Sequence, residues 1–133
     1  MIVDTSALVA MARGENGYLD LRVALAKELG AVPTLVLVEF NRVMAESGNV
    51  PDLEAIGLLD DLGVQIFPFG SQAAHAAMVA NERYGSGNGR GGKLNLLDLM
   101  VYGVAKVEDL PVLCTGKDFP STDIAIHPAS RGW

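Results

Sequence analysis

Cysteine and histidine are scarce in this chain: 133 residues include one cysteine and two histidines. A lone cysteine excludes an internal disulfide, and His75 and His127 fall in no His-x-x-x-His or Cys-x-x-Cys spacing, so nothing supports a zinc centre. Cys114 lies in the apolar run PVLCT, where it reads as a small buried hydrophobe rather than a nucleophile. Ser71, Ser86 and Ser130 have no nucleophile-elbow context, which leaves acyl transfer without support. Long hydrophobic runs are missing too, none reaching the roughly 18 residues of a membrane span. The opening MIVDTSALVAMARG puts Asp4 where a signal peptide wants basic residues, so the expected location is the cytoplasm, with no membrane partner. Cations are also in short supply: 10 Lys and Arg stand against 16 Asp and Glu, a net charge of −6. Taken alone, that balance disfavours a nucleic-acid partner, because such proteins usually carry a basic footprint.

What is present is a chain with 50% hydrophobic and 20% charged residues, enough apolar content for one compact domain over residues 1–133. Ile2 and Val3 read as a very short strand running into Asp4, with Thr5 or Ser6 capping a helix to about Ala12. Residues 17–29 follow helical spacing through Leu19, Val23, Leu25, Ala26 and Leu29, with Gly30 as the stop. A brief strand at AVP precedes a helix in LVLVEFNRVMAESG, capped by Thr34 and ended at Gly48. Pro51 to Leu62 is a further helix closed by Gly63, and VQIFPF a strand. SQAAHAAMVANERY and NLLDLMVYGVAKVEDL are helices on either side of a glycine-rich loop, the second with Asn95 at its cap. PVLCT is a strand, and IAIHP a last short one. Strands alternating with helices imply a three-layer α/β/α fold with a parallel central sheet of about four to five strands, because parallel neighbours need crossover connections.

The glycine-rich GNGRGGKL at 87–94 fits G-x-G-x-x-G and nearly fits a P-loop. Both motifs require a strand before the loop, and this one follows a helix; Leu94 also replaces the magnesium-binding hydroxyl. A nucleotide cofactor is therefore not expected. The loop is either a plain surface connection or a place where Arg83, Arg90 and Lys93 meet a phosphate backbone. Tyr84 and Tyr102 could stack on a base but read more simply as core or rim.

In open α/β sheets ligands bind outside the carboxyl ends of the strands. Four acids fall there: Asp4 after the first strand, Glu39 early in the helix after the second, Asp98 in the first turn after the glycine loop, and Asp118 after PVLC. Four unpaired carboxylates in one cleft would repel and raise one another's pKa, so such a cluster is stable mainly around divalent cations, with Mg2+ or Mn2+ the natural choice. Setting these four apart leaves 12 acidic against 10 basic residues, and the acidic balance no longer excludes RNA. Each acid also has an ordinary explanation: Asp98 as the partner of Asn95 in a capping box, Glu39 and Asp118 as helix-start acids favoured by the macrodipole. It is the combination that points to hydrolysis of a phosphodiester, where a hard cation activates water and stabilises the leaving oxygen.

The segments MIVDTSALVA, Glu39 within LVLVEF, LNLLD at 94–98 and TGKDFPSTDI at 115–124 closely resemble the signature segments of the PIN-domain family, in particular its VapC-type toxins. The resemblance extends to about residue 128. It implies a PIN fold and an Mg2+- or Mn2+-dependent endoribonuclease, with Asp4, Glu39 and Asp98 as the principal acids and Asp118 as the more variable fourth. Ser6 and Thr115 match supporting polar positions. Lys117 stands where many members carry Asp or Asn, which weakens a second metal position or supplies a charge for phosphate. The resemblance also implies a homodimer and a cognate antitoxin laid across the active-site groove. Two readings compete: a catalytically silent PIN-like module that binds RNA or antitoxin, and a Mg2+-dependent phosphoacceptor signalling domain. The latter wants paired acids after the first strand, and Asp4 has no acidic neighbour.

Overall fold

The computed structural model describes residues 1–46 and 51–131, with the backbone alone over 51–56. Its elements run β1 (Ile2–Val3), α1 (Thr5–Arg13), α2 (Tyr18–Lys27), β2 (Ala31–Pro33), α3 (Thr34–Glu46), α4 (Pro51–Leu62), β3 (Gln65–Phe67), α5 (Ser71–Tyr84), α6 (Leu96–Glu108) and β4 (Val112–Leu113), then a 3-10 turn at Phe119–Ser121. The four strands form one parallel sheet in the order β3-β2-β1-β4, with Ile2 opposite both Ala31 and Val112. Successive strand residues point to opposite faces, and Ile2, Val3, Val112 and Leu113 are all fully buried, so helices cover both faces of the centre. The α/β/α expectation is met with four strands. IAIHP reduces to a single bridge between Ile126 and Val112, since Pro128 soon ends the pairing.

The order of strands places the site. The chain adds β2 and β3 on one side of β1 and then returns to add β4 on the other. The reversal leaves a crevice at the carboxyl ends of β1 and β4, where open α/β sheets bind ligands. Asp4 lies at its floor: its N–H still bonds Leu113 O in the sheet at 3.0 Å, while its carbonyl already accepts from Ala7 N at 3.2 Å as α1 begins. Beside the crevice, α5 packs closely along α6. Gly103 makes that approach possible, because a Cβ there would stand 2.2 Å from Ala73 O.

Three local expectations are corrected. Asp4, not Thr5 or Ser6, is the N-cap of α1: its extended backbone presents the carboxylate to Ser6 N. The second helix ends at Lys27, with Glu28 already extended, so Gly30 is not its stop; Gly30 instead passes over Leu25 and Val3, which a Cβ would meet at 2.4 and 3.0 Å. That helix is also rotated from the expected face. Leu19, Val23 and Leu29 are exposed while Leu21, Ala24 and Leu25 are buried, because apolar residues on several sides leave its periodicity ambiguous. The expected stop at Gly48 lies outside the described residues.

Candidate active site

Two chain ends of the central sheet and two helices supply the four acids. Asp4 is buried at the end of β1. Its Oδ2 accepts the Ser6 N–H at 3.0 Å and the Ser6 hydroxyl at 2.5 Å. The same hydroxyl oxygen accepts the Thr115 N–H at 3.0 Å, joining the first acid to the turn after β4. Ser6 thus contacts Asp4 through its side chain, whereas Thr115 joins this group through its backbone N–H alone. Glu39, half-buried in the second turn of α3, accepts a hydrogen bond from the Thr5 hydroxyl. Thr5 was missed as a supporting residue; the only sequence signal was its place directly after Asp4.

Asp98 opens α6. It completes a capping box, in which Asn95 Oδ1 accepts the Asp98 N–H at 2.9 Å and Asp98 Oδ2 accepts the Asn95 N–H at 3.0 Å. The capping reading of this residue is met, with one carboxylate oxygen serving the cap. Asp118 is exposed just before the 3-10 turn that begins at Phe119, and its carbonyl accepts the Ser121 hydroxyl at 2.5 Å. Between Thr115 and Asp118 the chain turns at Gly116 with φ of 91°, a left-handed conformation suited to glycine.

The electrostatics tie the four together. Burial pushes the Asp98 carboxyl up to about 7; the Asn95 N–H opposes this, and the charges of Asp4, Asp118 and Glu39 add to it. Asp4 is also raised, chiefly by burial, against the stabilising bonds from Ser6 and with a further push from Glu39. Beneath them Cys114 is fully buried and its thiol is pushed up to about 12, first by burial and then by the charge of Asp4. It is a packed hydrophobe, as its apolar run implied.

None of the ion pairs between described residues includes Asp4, Glu39, Asp98 or Asp118. Also among the described residues, no three His, Cys, Asp or Glu side chains close into a direct metal-ligating group. Asp4, Asp118 and Glu39 are near enough for their charges to raise the Asp98 carboxyl, yet the four do not converge on a bare ion. Among the described residues there is no closed tetrahedral zinc shell.

The basic residues are placed differently. Arg83 at the end of α5 lies 5.5 Å over the ring of Tyr84, and Arg90 reaches Glu82 at 3.7 Å; both are exposed and engaged on the loop side of the molecule. Lys93 and Lys117 are exposed, with no ion pair between described residues. The glycine loop joins two helices, as expected, and Asn88 organises it by accepting the Arg90 and Gly92 N–H groups at 2.8 and 3.2 Å. Two backbone donors that a phosphate would need are thereby taken. Tyr102 is buried and Tyr84 half-buried against it, their rings 5.7 Å apart. His75 is exposed on α5, and His127 is a buried residue beside Glu28 at 3.4 Å.

Comparison with known proteins identifies the family and the fold. The PIN domain model matches residues 1–125. Ribonuclease VapC42 of Mycobacterium tuberculosis is 37% identical over 127 residues, covering 93% of this chain and 96% of the relative. In fold, the chain is similar to the crystal structure of Mycobacterium tuberculosis VapC20, described as a sarcin–ricin loop cleaving toxin, with TM-score 0.71 and 14% identity over 93% of this chain and 95% of that one. It is similar also to VapBC2 from Rickettsia felis bound to a DNA fragment from their promoter, with TM-score 0.71 and 18% identity over 99% and 97% of the two chains.

Proposed function

The chain belongs to the PIN-domain family, and from that premise we propose that it is a VapC-type endoribonuclease, the toxin of a toxin–antitoxin pair, whose Asp4, Glu39, Asp98 and Asp118 hold divalent cation for phosphodiester hydrolysis. Nucleases of this family are generally divalent-metal dependent. The observation that carries the site is the Asp98 carboxyl, pushed up to about 7 by burial and by acids from three other segments of the chain. Such a group is costly by itself and becomes favourable when cation is present. The same acids have no protein cation as an ion-pair partner among the described residues.

A bound Mg2+ or Mn2+ supplies the chemistry of lowering the pKa of attacking water and stabilising charge on the phosphate and leaving oxygens. The protein's own residues orient the acids that hold it. Ser6 fixes the Asp4 carboxylate and ties it to Thr115, Thr5 fixes Glu39, and Asn95 fixes one oxygen of Asp98. Lys117, next to Asp118 and exposed, supplies positive charge for a phosphate at the rim, while Arg83, Arg90 and Lys93 attract the RNA backbone at longer range. Arg83 and Arg90 would first exchange their contacts with Tyr84 and Glu82.

The partners proposed are an RNA substrate, a cognate antitoxin and a second copy of the chain, in the cytoplasm. Solved structures of similar fold include a toxin–antitoxin complex from Klebsiella pneumoniae, which supports the antitoxin. No helix among the described residues is long and apolar enough to cross a membrane. The deciding experiment incubates total cellular RNA with purified protein in Mg2+, in Mn2+ and in EDTA, beside Asp4→Asn prepared identically. Cutting that needs metal and is absent from the variant is the expected result. Equal cutting by the variant would remove Asp4 from the mechanism, and cutting undiminished in EDTA would remove the cation.

A further inference from the structure

Outside the acid cluster a fifth carboxylate is held tightly. Asp123 Oδ1 accepts the Tyr102 hydroxyl at 2.7 Å, and Oδ2 accepts Lys106 Nζ at 3.0 Å. Tyr102 and Lys106 are four residues apart on α6, and Asp98 is four residues before Tyr102, so the three share one ridge of the helix. At about 1.5 Å per residue, the two gripping residues lie roughly 6 and 12 Å along the axis from Asp98. Asp123 itself is five residues past Asp118 in a segment that is internally braced. The Ser121 hydroxyl bonds Asp118 O, the Thr122 hydroxyl bonds Phe119 O at 2.7 Å, and the Ile124 N–H bonds Thr122 Oγ1 at 3.2 Å. Phe119 and Ile124 are buried and set how deep this segment sits. Hydrophobic burial is non-directional, however, and does not define position along the helix. Two directed bonds to one carboxylate do. Tyr102 is itself buried, its ring 5.7 Å from that of Tyr84.

We propose that Asp123 is a positioning residue for the acid cluster: gripped by Tyr102 and Lys106, it fixes the segment that carries Asp118 along the ridge of α6 that carries Asp98, and so sets the gap between those two carboxylates. The proposal rests on the reading of Asp118 as a cation-binding acid. Partners of ligating groups matter in this way generally, because loss of such an outer contact typically weakens metal binding without removing a ligand.

The test uses the purified full chain stripped of metal, titrated with Mn2+ and followed by the electron paramagnetic resonance of free Mn2+, with amide hydrogen exchange read in parallel. Wild type is compared with Asp118→Asn, Asp123→Ala, Asp123→Asn and Tyr102→Phe. Asp123→Ala should weaken Mn2+ binding about tenfold and speed exchange within residues 116–122 while the core helices stay protected. Asp123→Asn keeps an acceptor for Tyr102 and should fall between the alanine variant and wild type. If Asp118→Asn weakens binding and Asp123→Ala leaves it unchanged, the positioning role is wrong and Asp118 stands. If Asp118→Asn itself binds Mn2+ as wild type does, the reading of Asp118 fails and takes this proposal with it. Faster exchange throughout Asp123→Ala would make its role merely structural and overturn the proposal as well. Should the alanine variant not fold, Tyr102→Phe removes one of the two bonds and is judged by the same outcomes.

Discussion

The two ends of one face of α6 treat carboxylates in opposite ways. At its start Asp98 is pushed up to about 7 by burial and by Asp4, Asp118 and Glu39. One and two turns later Tyr102 and Lys106 hold Asp123 below the usual carboxylate range, the tyrosine hydroxyl contributing most and the lysine next. The difference is the supply of partners. Asp123 receives a hydroxyl and an ammonium from its own chain, and its charge is complete within the protein. Asp98 receives one N–H bond, from Asn95, and faces three like charges, so its carboxylate is not neutralised by any partner in the chain and holds its proton to a higher pH. An acid with protein partners acts as a fastening, and an acid among acids is left with its charge uncompensated by the chain.

The sharpest way to break this contrast is Asp98→Asn. Removing a cation-binding acid should lower RNA cleavage about a thousandfold, the kinetic equivalent of several kcal/mol of charge stabilisation. Thermal unfolding should show a stability equal to or above wild type, since a repelled carboxyl is replaced by a neutral amide. A variant that cuts RNA at the wild-type rate would place Asp98 with the fastenings.

Acidity gives the second test. The Asp98 carboxyl is raised from 3.8 to about 7, so the native state holds its proton where the unfolded chain has lost it. Stability contributed by that tighter proton is present at low pH and is lost as pH rises through the native value. In EDTA the protein should therefore lose about 2 kcal/mol between pH 4 and 7, after allowing for partial solvent screening. Asp98→Asn should flatten the slope, as should saturating Mg2+. A metal-free wild type whose denaturant midpoint rises across that window would contradict the raised pKa.

Smaller effects sharpen the comparison. Asn95→Ala removes the side-chain cap of α6 and should cost about 1 kcal/mol in urea unfolding. Because Asp98 still accepts the backbone N–H of residue 95, cleavage at permissive temperature should persist, separating the capping role of this turn from its chemical one. Lys106→Met removes an ion pair whose partners are 49% and 45% exposed. Its cost to global stability should be about 0.5 kcal/mol or less, as for other solvent-exposed pairs. A large loss would mean that the lysine supports the fold rather than trimming the position of one segment.

Much of the acid cluster was legible because it follows from local order along the chain. A carboxylate directly after a short apolar strand, another in the first turn after Asn95 and a third after PVLC are positions that a parallel sheet brings to one edge. Other features were not legible, for physical reasons that differ. The rotation of α2 escaped because Leu19, Leu21, Val23 and Leu25 put apolar groups on every side, and only packing chose Leu21 and Leu25. Thr5 escaped because its partner Glu39 is 34 residues away. Arg83 and Arg90 showed as charges, but their contacts with Tyr84 and Glu82 belong to the folded loop.

The sequence by itself determined the alternation of elements, the ends of strands at which Asp4 and Asp118 fall, and the capping pair Asn95 and Asp98, because propensities, caps and glycine stops act over a few residues. Only the tertiary structure decided which acids share a field and which are neutralised, because that depends on distances between segments far apart in the chain. Asp98 and Asp123 are the same residue type against the same helix, and it was the neighbours delivered by the fold that left one charge open and closed the other.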